Sequence, residues 1–231
     1  KGGKMKTRDN ISVNWELIEK RYQEDLQSQQ ERFEELLQEI RQNPAKFMSI
    51  AGIPPRYHNA SIENLLLPPR IINEAQNFIQ GKYDGLFLSG TVGSGKTYLS
   101  VAIMKEFILQ GIYSCFQSVP ALFQTLRQTF NTRYSDVEEK LMNKLNSVEV
   151  LTLDDLGAEK ISDFTVDRLY LIIDSRYSNM KKIIITSNLT LNDIKNKIHD
   201  RLASRIGEMC KIIIMPNKDL RIEKNHLGVK I

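Results

Sequence analysis

The most regular pattern of apolar positions lies near the start of the chain. Between Asn14 and Gln42 there is no glycine or proline, and apolar side chains recur at spacings of three, four and seven residues. Such spacing places them on one side of a single long helix. The stripe has to be buried against its own domain, in a bundle or on a partner, and we favour a partner or a second copy. Its members are Trp15, Ile18, Tyr22, Leu26, Phe33, Leu36, Leu37 and Ile40.

Prolines interrupt the pattern after this helix. They occur at Pro44, at Pro54-Pro55 and at Pro68-Pro69, within about 25 residues, and such punctuation is typical of a boundary between domains. We therefore predict a helical, partner-binding N-terminal arm over residues 1–48, a proline-rich linker over 49–69 and a main domain over 70–231.

After Pro69, short apolar runs alternate with stretches of helical periodicity. Strands that are apolar at nearly every position are buried on both faces, as in a parallel sheet covered by helices. The sequence thus predicts an α/β fold. The expected strands are 86–89, 114–119, 148–153, 182–186 and 211–215, and the expected helices are 96–110, 121–130, 135–145 and 164–178.

Composition narrows the class of protein. Hydrophobic residues make up 41% of the 231 residues, which suffices for a buried core. No apolar run approaches the roughly 20 residues that span a bilayer, and the N-terminus lacks a secretory pattern, so we expect no membrane association. Cys115 and Cys210 lie far apart in apolar runs. We interpret them as reduced core thiols, which suits a cytoplasmic protein.

Charge is unevenly distributed along the chain. The net charge is +4, yet residues Asn14 to Gln42 contain 8 acidic and 4 basic side chains, so the remainder is clearly basic. A basic body with an acidic arm fits a domain that contacts nucleic acid and an arm that contacts another partner. An ordinary mixed-charge surface explains the same distribution equally well.

One segment carries an identifiable chemistry. Residues 90–97 fit G-x-x-x-x-G-K-[ST] completely, between a predicted strand and a predicted helix. The glycines let backbone N–H groups turn toward phosphate oxygens, and the helix N-terminus adds partial positive charge. Lys96 should contact the β- and γ-phosphates of ATP, and Thr97 should bind magnesium. The predicted nucleotide site comprises Gly90, Thr91, Val92, Gly93, Ser94, Gly95, Lys96, Thr97 and Tyr98.

Two other predicted strands end in polar side chains. Asp154 and Asp155 follow one of them, and in a P-loop sheet the first can hold magnesium while the second orients or deprotonates the attacking water. Asp155 is shorter than the glutamate more usual at that place, so we expect slow turnover. Asn188 follows the next strand and can hydrogen-bond both the water and the γ-phosphate.

Two arginines, Arg201 and Arg205, stand four residues apart and so share one face of a predicted helix. The planar guanidinium suits phosphate oxygens, and an arginine on a helix can complete the nucleotide site of a neighbouring subunit. The alternative is a surface salt bridge with Asp200 or Glu208.

Together these motifs resemble the DnaC/DnaI-type AAA+ helicase loaders, with the IstB-type transposition ATPases as close relatives. The resemblance extends over about residues 49–224 and keeps the order and spacing of the motifs. It rests on Gly52-Ile53-Pro54-Pro55-Arg56-Tyr57, the P-loop, Leu153-Asp154-Asp155-Leu156-Gly157-Ala158-Glu159, Thr186-Ser187-Asn188-Leu189 and Arg201-Leu202-Ala203-Ser204-Arg205.

The resemblance implies an AAA+ P-loop core whose five-stranded parallel sheet has the order 5-1-4-3-2, without a C-terminal lid domain. By motif position, Asn188 corresponds to sensor 1 and Arg205 to an arginine finger acting in trans, which implies self-association. Arg221 corresponds to a late sensor-2-like arginine. The family's Gly-Glu-Ser/Asp-Tyr before that arginine reads Asn-Lys-Asp-Leu here, a departure that weakens the assignment of Arg221.

Loaders of this type grip the replicative hexameric helicase through an N-terminal domain and bind single-stranded DNA through the ATPase domain. The acidic helix stands where that arm would be, and it lacks the cysteines of the zinc-binding relatives, so we expect no zinc. The helices over 121–130 and 135–145 match a helical insertion of the initiator and loader branch. Basic residues there are candidate DNA contacts, although a solvated charged surface is an alternative: Arg127, Arg133, Lys140 and Lys144.

The leading hypothesis is therefore a slow, regulated ATPase that loads the replicative helicase onto single-stranded DNA during replication initiation or restart. An IstB-like ATPase that helps a DNA transposase is the alternative. A P-loop kinase for a small molecule would need a substrate lid and a phosphate acceptor, and neither is recognisable. A nucleotide-gated scaffold without hydrolysis also fits the short Asp155.

Overall fold

The computed structural model describes residues 15–130, 135–158 and 162–220. These residues form a five-stranded sheet in which every neighbouring pair is parallel, in the order β2-β3-β4-β1-β5. This is the predicted order 5-1-4-3-2 read from the opposite edge, and the predicted strands are confirmed with ends shifted by a few residues. The strands are β1 (Gly85–Ser89), β2 (Ser114–Ser118), β3 (Val150–Leu156), β4 (Lys182–Ser187) and β5 (Cys210–Ile214).

The predicted helices are present, and local sequence explains several of their ends. Pro44 and Pro69 each stand in the first turn of a helix, where a missing N–H costs nothing. Thr190 and Asp193 form a reciprocal capping box. The helices are α1 (Trp15–Gln42), α2 (Pro44–Ile50), α3 (Pro69–Ile79), α4 (Lys96–Leu109), α5 (Val119–Phe130), α6 (Ser135–Ser147), α7 (Asp163–Ser178), α8 (Leu191–Lys197) and α9 (Asp200–Met209).

The sheet is buried between two helical layers. Leu86 and Leu88 of β1 belong to a core cluster with α3 and α4. The intervening Phe87 belongs to a second cluster with α5, α7 and α9. Alternate residues of one strand thus pack on opposite faces, which explains why most positions in the strands are apolar. Because all five strands are parallel, their carboxyl ends lie along the same edge of the sheet.

The segment predicted as a linker, residues 49–69, packs on the domain. Ala51, Ile53 and Ala60 are buried in the cluster that contains α4. The Phe116 N–H of edge strand β2 donates to the Ala51 carbonyl oxygen at 2.7 Å. Gly52 has φ +85°, and a Cβ atom there would lie 2.8 Å from the Phe116 oxygen. The prolines therefore shape turns against the sheet edge, and the segment is not an open tether.

The apolar stripe of α1 is divided between two environments. Ile40 is buried in the core, and a Cβ atom at Gly111 would lie 2.9 Å from the Phe33 ring and 3.1 Å from a Leu37 methyl group. Leu26, Phe33 and Leu36, by contrast, are 41%, 47% and 37% exposed. The end of the helix around Leu37 and Ile40 thus packs on the domain, while most of the described stripe before it stays exposed. A separate arm over residues 1–48 stays a prediction.

Within the described ranges, none of the helices combines the length and the apolar character that crossing a bilayer requires.

Arg176 is a fully buried charge that joins several elements. Its guanidinium donates hydrogen bonds of 2.6 to 3.2 Å to backbone carbonyl oxygens. Burial lowers its pKa to about 10, so it stays protonated at neutral pH. It ties α7 to the end of α6 and to the starts of β3 and β4. The acceptor carbonyls belong to Leu145, Val148, Glu149 and Lys182.

We expect Arg176→Met to lower the free energy of unfolding by about 3–5 kcal/mol, because the carbonyl groups lose their donors inside the core. Denaturant titration measures this. Arg168→Met is the matched control on the same helix, since its ion pair with Glu138 is partly exposed and should contribute about 1 kcal/mol or less. Equal losses for the two variants would contradict the role given to Arg176.

Candidate functional site

The loop between β1 and α4 has the backbone shape that the motif requires. Gly93 and Gly95 have φ values of +81° and +89°, a region that favours glycine. Gly95 is the N-cap of α4, so the loop leads directly into a helix N-terminus. A glycine-rich loop at the positive end of a helix dipole suits an anion.

Lys96 lies where the loop meets the N-terminus of α4. It is 6% exposed, and its Nζ donates to the carbonyl oxygens of Gly90 and Thr91 at 2.9 Å. It also donates to Asn188 Oδ1 at 2.8 Å. Because β4 pairs with β1, Asn188 at the end of β4 lies beside the P-loop. Lys96 and Asn188 are thus brought together by the sheet order.

One carboxylate oxygen of Asp154 accepts hydrogen bonds from two hydroxyl groups. Thr97 Oγ1 donates to its Oδ1 at 2.9 Å, and Thr186 Oγ1 donates to the same atom at 2.7 Å. Asp154 is 6% exposed. Burial raises the pKa of this carboxyl, hydrogen bonds from Thr186 and Thr97 lower it, and the charge of Asp155 raises it further. A cation bound here would offset the unfavourable burial.

Asp155 reaches the same site through an irregular backbone. In a regular strand, Asp154 and Asp155 would point to opposite faces. Here the pairing of β3 with β4 shifts register between Leu153 and Leu156, and Asp155 has φ +61°. Its N–H donates to Thr186 Oγ1 at 2.9 Å. Such a conformation costs about 1–3 kcal/mol, and it lets both carboxylates line one cavity.

That cavity has a volume of about 370 Å³, within the range of small-molecule sites. The side chains expected to act on the γ-phosphate and its magnesium surround it. Tyr98 also lines it and donates from its hydroxyl to the Asn59 carbonyl oxygen at 3.3 Å. Of the predicted residues, the cavity is lined by Val92, Gly93, Gly95, Lys96, Thr97, Tyr98, Asp154, Asp155 and Asn188.

Several lining residues were given no role from the sequence. Arg56 and Tyr57 were identified only as part of a motif, and Leu65, Leu66 and Leu220 were not singled out. They reach the cavity because residues 49–69 fold back on the domain and because the chain after β5 returns to the P-loop. Of these residues, only Arg56 and Tyr57 could have been predicted to lie near the site, because they belong to a family motif.

Arg205 is not among the residues lining the cavity of its own chain. Its Nε donates to Asp174 Oδ1 at 2.8 Å, and its guanidinium carbon lies 4.5 Å from the centre of the Tyr177 ring. Glu208, which with Asp200 was the alternative salt-bridge partner, is 3.6 Å from Nη1, within ion-pair distance. Arg201 is exposed.

The remaining candidates fall into two groups. The described DNA candidates are exposed: Arg127 on α5, and Lys140 and Lys144 on α6. Arg133 and Arg221 lie outside the described residues.

The chain after β5 closes the outer side of the P-loop. The Leu220 N–H donates to the Gly93 carbonyl oxygen at 3.0 Å. A Cβ atom at Gly93 would lie 2.3 Å from the Asp219 carboxyl carbon, and one at Gly95 would lie 3.0 Å from Leu220. A Cβ atom at Gly90 would similarly lie 2.8 Å from Met215. These glycines thus also make room for residues 215–220, and a carboxylate lies against the phosphate-binding loop.

The sequence model of the family described as IstB-like ATP binding protein matches residues 9–226. The chain belongs to this family. Its P-loop is therefore that of an ATP-binding protein, as predicted. The donor set suits that ligand, because loop amides and the Lys96 ammonium would bind phosphates while the Thr97 hydroxyl and Asp154 carboxylate would supply oxygen atoms to a cation.

Individual relatives agree with this membership. The chain is 28% identical over 206 residues to the uncharacterized protein YqaM of Bacillus subtilis (strain 168), covering 80% of this chain and 64% of YqaM. It is 25% identical over 164 residues to the replicative helicase loader DnaC of Escherichia coli (strain K12), covering 68% of this chain and 66% of DnaC. The chain therefore spans just under two thirds of each relative.

The crystal structure of DnaI has the same fold. It superposes with a TM-score of 0.64 at 26% identity, covering 71% of this chain and 95% of that structure. The predicted AAA+ fold and the resemblance to the helicase-loader family are thus confirmed. The roles assigned to single side chains stay predictions.

We expect Asp219→Asn to tighten ATP binding severalfold, because a negative charge beside the P-loop repels the phosphates by an amount on the order of 1 kcal/mol. Titration with a fluorescent ATP analogue measures the change, which should shrink at high salt. Asp84→Asn, just before β1 at the other end of the strand, is the control and should leave affinity unchanged. Unaltered affinity in Asp219→Asn would contradict the prediction.

Proposed function

We propose that this protein is an ATPase that loads a replicative hexameric helicase onto single-stranded DNA during replication initiation or restart. The observation that carries the proposal is the convergence of Lys96, Asp154, Asp155 and Asn188 on one cavity. This occurs in a chain similar to a protein named as a replicative helicase loader. The ATP site, the arm and the basic insertion would then serve a single reaction cycle.

Hydrolysis in this proposal depends on side chains at the strand ends. Thr97 and Asp154 would hold magnesium, and the ion would supply charge neutralisation at the β- and γ-phosphates. In the described part of the chain, no group of three or more His, Cys, Asp or Glu side chains could hold a metal ion alone. That fits magnesium, which is commonly bound by one or two protein groups together with phosphates and water.

The remaining roles follow from the same geometry. Lys96 would bind the β- and γ-phosphates, and Asn188 would orient the γ-phosphate and the attacking water. Asp155 would hold that water and receive its proton. Because an aspartate reaches less far than a glutamate, turnover would be slow until DNA or a partner adjusts the site. Arg205 would complete the site of a neighbouring subunit, which makes ATP a signal for assembly.

The N-terminal helix α1 is the proposed contact with the helicase. Its stretch before Phe33 exposes Leu26 within an acidic, glutamine-rich surface. An apolar anchor surrounded by polar side chains is typical of a helix that docks in a groove. The end of α1 is not available for such docking, since Ile40 packs in the core of the domain.

Single-stranded DNA is the proposed ligand of the insertion formed by α5 and α6. Arg127, Lys140 and Lys144 are exposed there, so their charges can reach phosphates without the cost of burial. Arg133 is proposed as a fourth contact from its sequence position between the two helices.

A second candidate function is favoured by the family description itself. An IstB-like ATPase that helps a DNA transposase would use the same ATP site and the same basic insertion. The two functions differ in the protein partner, so the partner of α1 distinguishes them.

We expect Leu26→Asp to weaken binding to the host's replicative helicase by about tenfold or more, because it places a charge in the apolar anchor. Pull-down or interferometry with purified helicase measures this. Ser28→Asp is the matched control, since it adds the same charge to the opposite side of the helix. Deleting residues 1–30 should act like Leu26→Asp, whereas deleting 1–48 would remove the buried Ile40 and Met48.

Equal helicase binding by the wild type, Leu26→Asp and the deletion would exclude the proposed role of α1. Binding to a transposase encoded beside the gene, with none to the helicase, would favour the second candidate function.

We expect joint replacement of Arg127, Arg133, Lys140 and Lys144 by alanine to weaken single-strand binding and to flatten its salt dependence. Each lost phosphate contact should reduce the slope of log K against log salt by about 0.7. Fluorescence anisotropy with an oligo-dT probe measures both. The control replaces exposed lysines elsewhere with the same loss of charge, at Lys46, Lys82, Lys195 and Lys197. Identical salt slopes for the two variants would remove the proposed patch.

A further inference from the structure

We infer that Asp174 and Tyr177 form a cradle on α7 that orients Arg205 for contact with the ATP of a neighbouring subunit. The inference rests on the proposed function, in which Arg205 acts in trans. It adds positioning residues that no motif indicates. Their spacing of three residues places them on one face of α7.

Asp174 fixes one end of the guanidinium. Arg205 Nε donates to Asp174 Oδ1 at 2.8 Å, whereas Glu208 is 3.6 Å from Nη1, beyond the usual length of a direct hydrogen bond. An anchor at Nε leaves the terminal nitrogens of the guanidinium with N–H groups for further acceptors. These nitrogens form the fork that binds phosphate oxygens in pairs.

The Tyr177 ring lies against the plane of the same group. The Tyr177 ring lies under the guanidinium at 4.5 Å, and its hydroxyl donates to Glu208 Oε1 at 2.5 Å, which holds the ring in place. A hydrogen bond with Tyr170 and one with Asp174 raise the pKa of Arg205. A stacked ring together with an Nε anchor determines both the plane and the direction of the fork.

The cradle is held by rigid packing. Leu169 and Ile173 of α7 and Leu202 and Ile206 of α9 are fully buried in one core cluster. The distance between the two helices is therefore set by the core and not by the polar contacts. Arg205 keeps only 33% of its side chain exposed, although it stands near the end of a surface helix.

Arg201, one turn earlier on α9, provides the internal comparison. It is exposed, and among the residues described it takes part in no ion pair. Of these two arginines on one helix, only Arg205 lies against Asp174 and Tyr177. A surface arginine loses side-chain entropy when it binds, and a held arginine has already lost it. Pre-orientation is what an arginine acting across a subunit boundary requires.

The test uses mixed subunits, in which each partner supplies one half of the site. Arg205→Ala subunits keep their own P-loop, and Lys96→Ala subunits keep Arg205 but lose the lysine that binds phosphate. Neither should hydrolyse ATP well alone, and the mixture should recover activity in the presence of an oligo-dT strand. Phosphate release measures the rate.

We expect Asp174→Asn in the Lys96→Ala partner to lower the rate of the mixture by about tenfold, because the arginine it donates is no longer aimed. The same change in the Arg205→Ala partner should leave the mixture at its parent rate, since that subunit donates no arginine. Tyr177→Phe in the donating subunit should retain activity because the ring remains, and Tyr177→Leu should lose it. Asp167→Asn, two turns earlier on α7, is the charge-matched control.

The outcomes of this experiment distinguish the trans role of Arg205 from the role of the cradle. Full activity of Arg205→Ala alone, or no recovery in the mixture, would overturn the trans role and with it the cradle. A recovered mixture that is indifferent to Asp174→Asn in the donating subunit would overturn the cradle alone. An equal loss from either subunit would indicate a general folding role and would also overturn it.

Discussion

The position of β1 between β4 and β5 in a wholly parallel sheet is the constraint on which the rest of the molecule depends. The P-loop leaves β1, so whatever ends the neighbouring strands lies within reach of Lys96. Asn188 comes from β4, and Asp154 from β3 beyond it. Residues 215–220 come from β5 on the other side. With another strand order, the same side chains would be scattered along the edge of the sheet.

Parts of this arrangement follow from the sequence because they are local. The strands are apolar on both faces, so the fold class and their approximate limits can be predicted. The P-loop is contained in eight consecutive residues, and its backbone geometry is a property of those residues. Asp154 and Asn188 are identifiable because each follows a buried strand and because parallel strands end on one side. The family resemblance added the order of the strands.

Other parts depend on packing and cannot be obtained from local pattern. The register shift that turns Asp155 into the cavity needs β4 as a template, with Thr186 accepting the Asp155 N–H. Residues 49–69 contain the prolines of a linker, yet Ala51, Ile53 and Ala60 are buried against the domain. The stripe of α1 is continuous in sequence, whereas its burial changes along the helix. The salt-bridge partners that the sequence offered as an alternative for Arg205 lie on its own helix, whereas its shorter contact is with Asp174 on another helix.

The close fit between the P-loop and the segment after β5 ties distant parts of the chain together sterically. Because any side chain at Gly93 would overlap the Asp219 carboxylate, positions 93 and 219 form a single volume shared by two residues. Because Gly93 also has φ +81°, a larger residue there would be strained in its backbone as well as in its packing. A phosphate-binding loop transplanted into this scaffold would keep the fit to the end of the domain only if it carried glycine at that position.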